Sequence, residues 1–439
     1  MPTYPRLVLG KHLSHPRRNV EVSAPDIAYH TAILAQSGSG KSSFLGLLIE
    51  EILLKTQARV VIVDTNGDFR CLHEANPKAF ETYHGKPDTK GARKRAKGFV
   101  EMWLSRVSVR HHTLEQPPSR LPPHFGWQHI GVEWWALHTP VQARFLGLRP
   151  DRDVFEVGLL DDVRQRCTDD EGSGKEGMRT PRQIVGSKVF RELCKTPRFR
   201  RDPKAAERLR IAMQGVEKWR IWRDDPPEWQ PVVGTVPSLR AGHAEVFDLP
   251  SLSCQEERLA VVRAVLAARW LRAERDWARV ASSGREDRVP CFVVLDEAHN
   301  FIGDAPDTPN GEQVAALLER IVAEGRKYGL FVILATQRPA KVKRSVLAEC
   351  ENVCLLRLQS PLDHQTATET WGVPKEVVAR TSHFETGDGL LLGRWVPGFA
   401  CFHADRRRTR ETAPSLDARH WARERQPAPG LAKRLSAKE

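Results

Sequence analysis

Thr31-Ala32-Ile33-Leu34-Ala35-Gln36-Ser37-Gly38-Ser39-Gly40-Lys41-Ser42-Ser43 reads as a buried strand, a tight glycine loop and the start of a helix. Residues 31–34 form a short apolar run of the kind that sits inside a parallel sheet. Gly38 and Gly40 permit backbone conformations that turn successive N–H groups inward, toward phosphate oxygens. Leu45, Leu48, Ile49 and Ile52 then recur at helical spacing. A helix therefore leaves the loop and adds its positive N-terminal end. The pattern is that of a phosphate loop with Ala35 in place of the first glycine, and a small residue still fits there. Gln36, Ser37, Gly38, Ser39, Gly40, Lys41, Ser42 and Ser43 are the candidate ATP-binding residues. Lys41 is suited to the β/γ-phosphates and Ser42 to Mg²⁺. The alternative is a chance Gly/Ser loop, which would need strand, lysine, serine and helix to coincide.

Further apolar runs at 60–63, 292–295, 330–334, 353–356 and 390–392 read as strands, with 244–247 a weaker candidate. Helical stretches separate many of them. Ser253-Cys254-Gln255-Glu256 reads as a capping box opening one such helix. Strands alternating with helices imply a doubly wound α/β core. Residues 71–225 break the alternation and read as a mostly helical insertion, with a loop at 169–177. The expected organisation is a short N-terminal segment (1–30), a core made of 31–70 and 226–403, the insertion between them, and a basic tail (404–439) that is disordered or docked on a neighbour.

Four more motifs stand at strand ends or beside them. In Phe292-Val293-Val294-Leu295-Asp296-Glu297-Ala298-His299, Asp296 can hold Mg²⁺ through water and Glu297 can act as a general base on the attacking water. Alone, this could be a solvated acidic turn. In Leu334-Ala335-Thr336-Gln337-Arg338-Pro339, Gln337 could sense the γ-phosphate, or mark a polar turn before proline. In Val63-Asp64-Thr65-Asn66-Gly67-Asp68-Phe69, Asp64 either supports the site or shapes a turn. In Glu324-Gly325-Arg326-Lys327-Tyr328-Gly329, Arg326 is either a surface arginine or one that reaches a neighbouring subunit's γ-phosphate, with Arg357 the next candidate.

Composition sets the outer limits. Apolar residues make up 40% and charged residues 28%, as in globular proteins. No apolar run approaches the ~20 residues of a membrane span. The N-terminus does not read as a signal peptide, so a cytoplasmic location is expected. Eight scattered cysteines give no zinc set. The net charge of +13 favours a polyanionic partner. Basic clusters fall at 86–97, at 191–223 interleaved with Trp219 and Trp222, and at Arg406, Arg407, Arg408 and Arg410.

Taken in order, the five motifs resemble the HerA/FtsK superfamily, the HerA branch most closely, over residues 31–69 and about 244–404. The Leu355-Leu356-Arg357-Leu358 and Pro361-Leu362-Asp363 tokens support the same likeness. The resemblance implies a RecA-like core, a homohexameric ring that pumps double-stranded DNA through its pore, and a nuclease or other effector partner in DNA end processing or phage defence. HerA proteins usually begin with a small β-barrel; with about 30 residues before the phosphate loop, it is expected to be absent or vestigial. A two-lobed helicase of the DEAH type is rejected, because about 100 residues follow Gln337 where a second lobe needs ~150. Pumps of the conjugative-coupling or chromosome-segregation type are nearer, but they usually carry membrane segments. The alternative from another class is a nucleotide-dependent assembly switch that does not translocate.

Overall fold

A computed structural model describes residues 4–83, 86–117, 121–122, 125–131, 134, 137–169, 181–222, 242–303 and 308–412. The expected loop at 169–177 lies outside these residues, apart from Asp169. In chain order the strands are β1 (Arg6–His12), β2 (His15–Ser23), β3 (Thr31–Leu34), β4 (Arg59–Asp64), β5 (Thr82–Tyr83), β6 (Lys86–Pro87), β7 (Ser108–Thr113), β8 (Phe125–His129), β9 (His243–Asp248), β10 (Cys291–Asp296), β11 (Leu330–Thr336), β12 (Asn352–Leu355), β13 (Asp388–Gly393) and β14 (Phe399–Ala404). All but the β5–β6 hairpin join one twelve-stranded sheet, ordered β2-β1-β14-β13-β12-β3-β11-β10-β4-β9-β7-β8.

From β12 to β8 every neighbouring pair is parallel, as buried apolar strands require. From β13 to β2 the pairing is antiparallel. The first 30 residues thus supply a hairpin on one edge of the sheet. Gly10 makes that join possible, because a Cβ there would lie 2.1 Å from the His403 carbonyl oxygen. The opposite edge is extended by β7 and β8, which come from within the stretch read as an insertion.

Successive strand residues face opposite sides. Ala32 and Leu34 join one buried layer and Ile33 the other; Val61 and Val63 oppose Val60 and Ile62 in the same way. One layer takes α1 (Lys41–Lys55) and α2 (Thr89–Arg106). The other takes apolar residues of α3 (Thr139–Phe145), α4 (Val154–Asp169), α5 (Pro181–Gly186), α6 (Lys188–Leu193) and α8 (Pro203–Gly215), with α7 (Pro197–Arg201) beside α8. It also takes α9 (Gln255–Ser283), α10 (Pro309–Tyr328) and residues of α11 (Arg344–Ala348), α12 (Pro361–Trp371) and α13 (Lys375–Arg380). This is a large, mostly parallel sheet flanked by helices, the fold class read from the sequence.

Three local expectations are corrected. The cap of α9 is Cys254, with no side-chain hydrogen bond, rather than Ser253. Glu257 accepts from the Ser253 and Ile221 N–H groups, so only the carboxylate half of the pattern forms, one residue later than read. Trp219 and Trp222 are buried and stacked on each other, 6.0 Å between centroids, so they offer no platform to a base. The start of the tail is docked on its own core: Arg407 is fully buried, Arg408 pairs with Glu50 and Glu51 of α1, and Arg410 pairs with Glu74.

Candidate nucleotide site

The site lies at the C-terminal ends of β3, β4, β10 and β11, where a parallel sheet directs its helix N-termini and loops. Ala35 is fully buried and its N–H donates to the Thr336 carbonyl, which leaves room for a small side chain and little more. Gly38 and Gly40 have φ of 73° and 95°. Gly40 caps α1, and a Cβ there would press on the Gly387 backbone at 3.3 Å. The loop is held from behind. Thr386 Oγ1 donates to the Gly38 carbonyl at 2.9 Å, Arg357 Nη2 donates to the same oxygen at 3.3 Å, and Gly387 N donates to Ser39 O at 3.0 Å.

Lys41, buried, pairs with Asp296 Oδ1 and lies 3.1 Å from Glu297 Oε1. Burial works against the ammonium, but the two carboxylates outweigh it and hold its pKa above the ordinary value. Burial raises the Asp296 pKa, opposed by Lys41. Asn66 Nδ2 donates to Asp296 Oδ2 at 3.1 Å, and Thr65 Oγ1 donates to its carbonyl at 2.7 Å. Asp64 accepts the N–H groups of Gly67, Asp68 and Phe69, so it shapes the turn that presents Asn66. Burial pushes the Asp64 carboxyl up to about 7.

Glu297 is the one non-glycine residue with positive φ among the described residues, at 52°. Such a conformation costs about 1–3 kcal/mol and persists where the surroundings enforce it. Here the enforcing contacts converge on its carboxylate. Gln337 Nε2 donates to Oε1 at 2.6 Å, Gln337 N donates to Oε2 at 3.2 Å, and His299 Nδ1 lies 3.4 Å from Oε2. Lys41, Asp296, Glu297 and Gln337, chosen from three separate stretches of sequence, therefore form one cluster.

Arg326 stands elsewhere. It is at the C-terminal end of α10, just before β11 begins, and so beside the opposite end of the strands. It is exposed, pairs with Glu351 at 3.0 Å and covers the Tyr29 ring at 4.2 Å. Its motif is partly structural: Gly325 lets the Leu330 carbonyl approach to 2.6 Å of where a Cβ would be. Arg357, by contrast, touches its own chain's phosphate loop.

A cleft of about 760 Å³ adjoins Gly38, Lys41, Ser42 and Gln337. Its far wall is Asn76, Lys78, His403 and the segment Ala404-Asp405-Arg406, none of which the sequence motifs pointed to. Only the basic run at 406–408 hinted that this segment meets an anion. The residues fit ATP and Mg²⁺: a glycine cradle, a buried ammonium, and one hydroxyl (Ser42) beside one carboxylate (Asp296), hard oxygen ligands that Mg²⁺ combines with nucleotide phosphates. No cluster of three His, Cys, Asp or Glu side chains among the described residues could hold a metal alone.

Residues 7–123 match the family model of the HerA helicase central domain. The DNA double-strand break repair helicase HerA of Pyrococcus furiosus is 20% identical over 415 residues, 88% of this chain and 67% of that protein. The HerA of Saccharolobus solfataricus is 24% identical over 162 residues, 37% of this chain and 31% of its own length. In the fold, VirB4 of Thermoanaerobacter pseudethanolicus superposes with a TM-score of 0.55 at 16% identity, covering 94% of this chain and 98% of that one. Over these stretches the chain is similar in sequence to HerA helicases, and its fold is that of the RecA-like P-loop ATPases VirB4 and TrwB. Plasmid coupling protein TrwB, solved with ADP and Mg²⁺, shares the same RecA-like fold with a TM-score of 0.53 at 12% identity. The match covers about a third of the S. solfataricus HerA helicase, so the fold is shared while the whole protein's activity is a separate question. No helix among the described residues is long and apolar enough to cross a membrane.

Proposed function

We propose that this chain hydrolyses ATP and uses the energy to move double-stranded DNA, as a homohexameric ring working in the cytoplasm. The observation that carries the reading is the convergence of Lys41 and Gln337 on Glu297, whose backbone is held at positive φ, with Asp296 paired to the same Lys41. Glu297 has the role of general base: its carboxylate faces the loop that would hold the phosphates and can accept a proton from water. Gln337 orients that carboxylate through two N–H groups. Lys41 neutralises charge on the phosphates. Ser42 and Asp296 would hold Mg²⁺, which supplies charge neutralisation at the phosphates when bound.

The DNA assignment is supported by one exposed basic face. Lys90, Arg93, Lys94 and Lys97 lie on one side of α2 at helical spacing, all exposed. Such a face contacts phosphates without reading bases. Family likeness also makes a nuclease or other effector the candidate partner, which co-purification would test.

Glu297→Gln should keep ATP bound and slow hydrolysis by roughly 10²–10⁴-fold, while Lys41→Ala weakens ATP binding. Duplex DNA should stimulate wild-type turnover. Replacing Lys90, Arg93, Lys94 and Lys97 with alanine should flatten the salt dependence of DNA affinity by about 3–4 in log–log slope. ATP turnover untouched by DNA, with nucleotide-dependent assembly of a partner, would establish the switch instead.

A further inference from the structure

The N-terminal ends of the parallel strands hold a second, separate cluster of cations. Arg59 opens β4 and Cys291 opens β10, and the two are register partners. With Arg269, Arg272 and Asp276 of α9 and with Arg288, Arg59 lines a partly open cavity of about 30 Å³. That exceeds the roughly 10–15 Å³ a single water occupies. Tyr328 and Gly329 close one side. The cavity shares no lining residue with the nucleotide cleft at the other end of the strands.

Three of the four arginines have a carboxylate: Arg269 pairs with Glu245, Arg272 with Asp276 and Arg288 with Glu286. Arg59 pairs with none among the described residues. Of these four arginines, Arg59 and Arg269 each bury an Nε donor that has no hydrogen-bond partner among the described residues, and Arg269 itself is 7% exposed. Leaving a buried donor unmet costs about 1–3 kcal/mol, more when it is charged. A cavity with an excess cation and idle guanidinium N–H groups is matched by an acceptor that is anionic, compact and rich in oxygen. Its size excludes a nucleoside or a peptide.

We propose that this cavity binds one tetrahedral phosphate-class oxyanion, independently of the nucleotide site. Inorganic phosphate is the probe. Because phosphate also suits the glycine loop, the test uses the full chain in a Lys41→Ala background. Calorimetric titration and phosphorus NMR are run at constant ionic strength, with chloride as the control anion. Lys41→Ala protein should bind phosphate with one site. Adding Arg59→Gln should weaken that site at least ~10-fold, about 1.4 kcal/mol. Arg272→Gln provides a second variant in case Arg59→Gln perturbs folding, which circular dichroism without phosphate would reveal. Phosphate binding that is absent from Lys41→Ala overturns the proposal, since water then suffices for the cavity. Binding unchanged by both glutamine variants overturns it too. So does an Arg59→Gln effect confined to duplex DNA affinity, which would make Arg59 a backbone contact.

Discussion

Gln337→Ala removes the amide that donates to Glu297 Oε1 at 2.6 Å and leaves the rest of the site in place. A hydrogen bond to a charged group contributes about 1.5–3 kcal/mol, which is about 10- to 150-fold in rate if all of it is felt in the transition state. The full loss is not expected here. The Gln337 backbone N–H still holds Oε2 at 3.2 Å, and Lys41 still faces Oε1 at 3.1 Å. The expected fall in kcat is therefore about 10-fold, with KM for ATP little changed, because the side chain orients the base and not the phosphates. Steady-state ATPase assays at saturating DNA measure this. The decisive sample is the double variant. If Gln337 acts through Glu297, then Glu297→Gln/Gln337→Ala is no slower than Glu297→Gln alone, since the base whose position it sets is gone. A further ~10-fold loss in the double variant would refute the reasoning and put Gln337 on the nucleotide itself.

Arg408→Ala should destabilise the fold by about 3–5 kcal/mol, because the Glu50 and Glu51 carboxylates are buried and lose their cation; chemical denaturation measures it, and an unchanged midpoint would show the strap is not fastened there. Acid should weaken the protein: burial lowers His111 to about 3 and His30 to about 4, so each stays neutral in the fold while the unfolded chain takes up a proton below about 6.5. Stability from these groups is complete above that pH and falls by about 2 kcal/mol per group by pH 5. His111→Phe should reduce the loss, since His111 stacks on Trp127 and neither ring nitrogen has a hydrogen-bond partner among the described residues.

The parallel half of the sheet was legible because each of its core strands is an apolar run, buried on both faces and ending in a polar motif. The edges were not. β2 carries Arg17, Arg18 and Asn19 and is largely exposed, and β7 carries His111 and His112, so neither shows an apolar run. The candidate cluster was legible for the same reason as the core: Asp296, Glu297 and Gln337 end a strand or follow it directly, and Lys41 opens the helix after the glycine loop that follows β3. What tunes the cluster was hidden. Asn66 and Thr65 reach Asp296 across 230 and 231 residues of sequence, Arg357 reaches Gly38 across 319, and Arg406 meets the cleft only because β14 returns beside β1. Local pattern carries no information about such distant pairings. The docked tail misled for a further reason: a run of arginines reads as solvated unless the buried Glu50 and Glu51 are known to face it.

The two ends of the sheet constrain how a ring could work. Arg357 lies against the phosphate loop of its own chain. Arg326 stands at the other end of β11, exposed, and held by an ion pair that solvent screens. For Arg326 to reach a γ-phosphate, one subunit must present the N-terminal end of its strands to the C-terminal end of its neighbour's. That is a head-to-tail contact, the kind that closes into rings. Arg326→Ala should then fold, bind ATP and assemble, yet hydrolyse slowly, by roughly 10³–10⁵-fold if it acts as an arginine finger. Mixing it with Glu297→Gln should restore turnover, because some interfaces would join an intact base to an intact arginine. Mixed rings that stay inactive would remove Arg326 from the site. The single variant Arg357→Ala, slow and not rescued by such mixing, would then identify the charge as one supplied within each subunit.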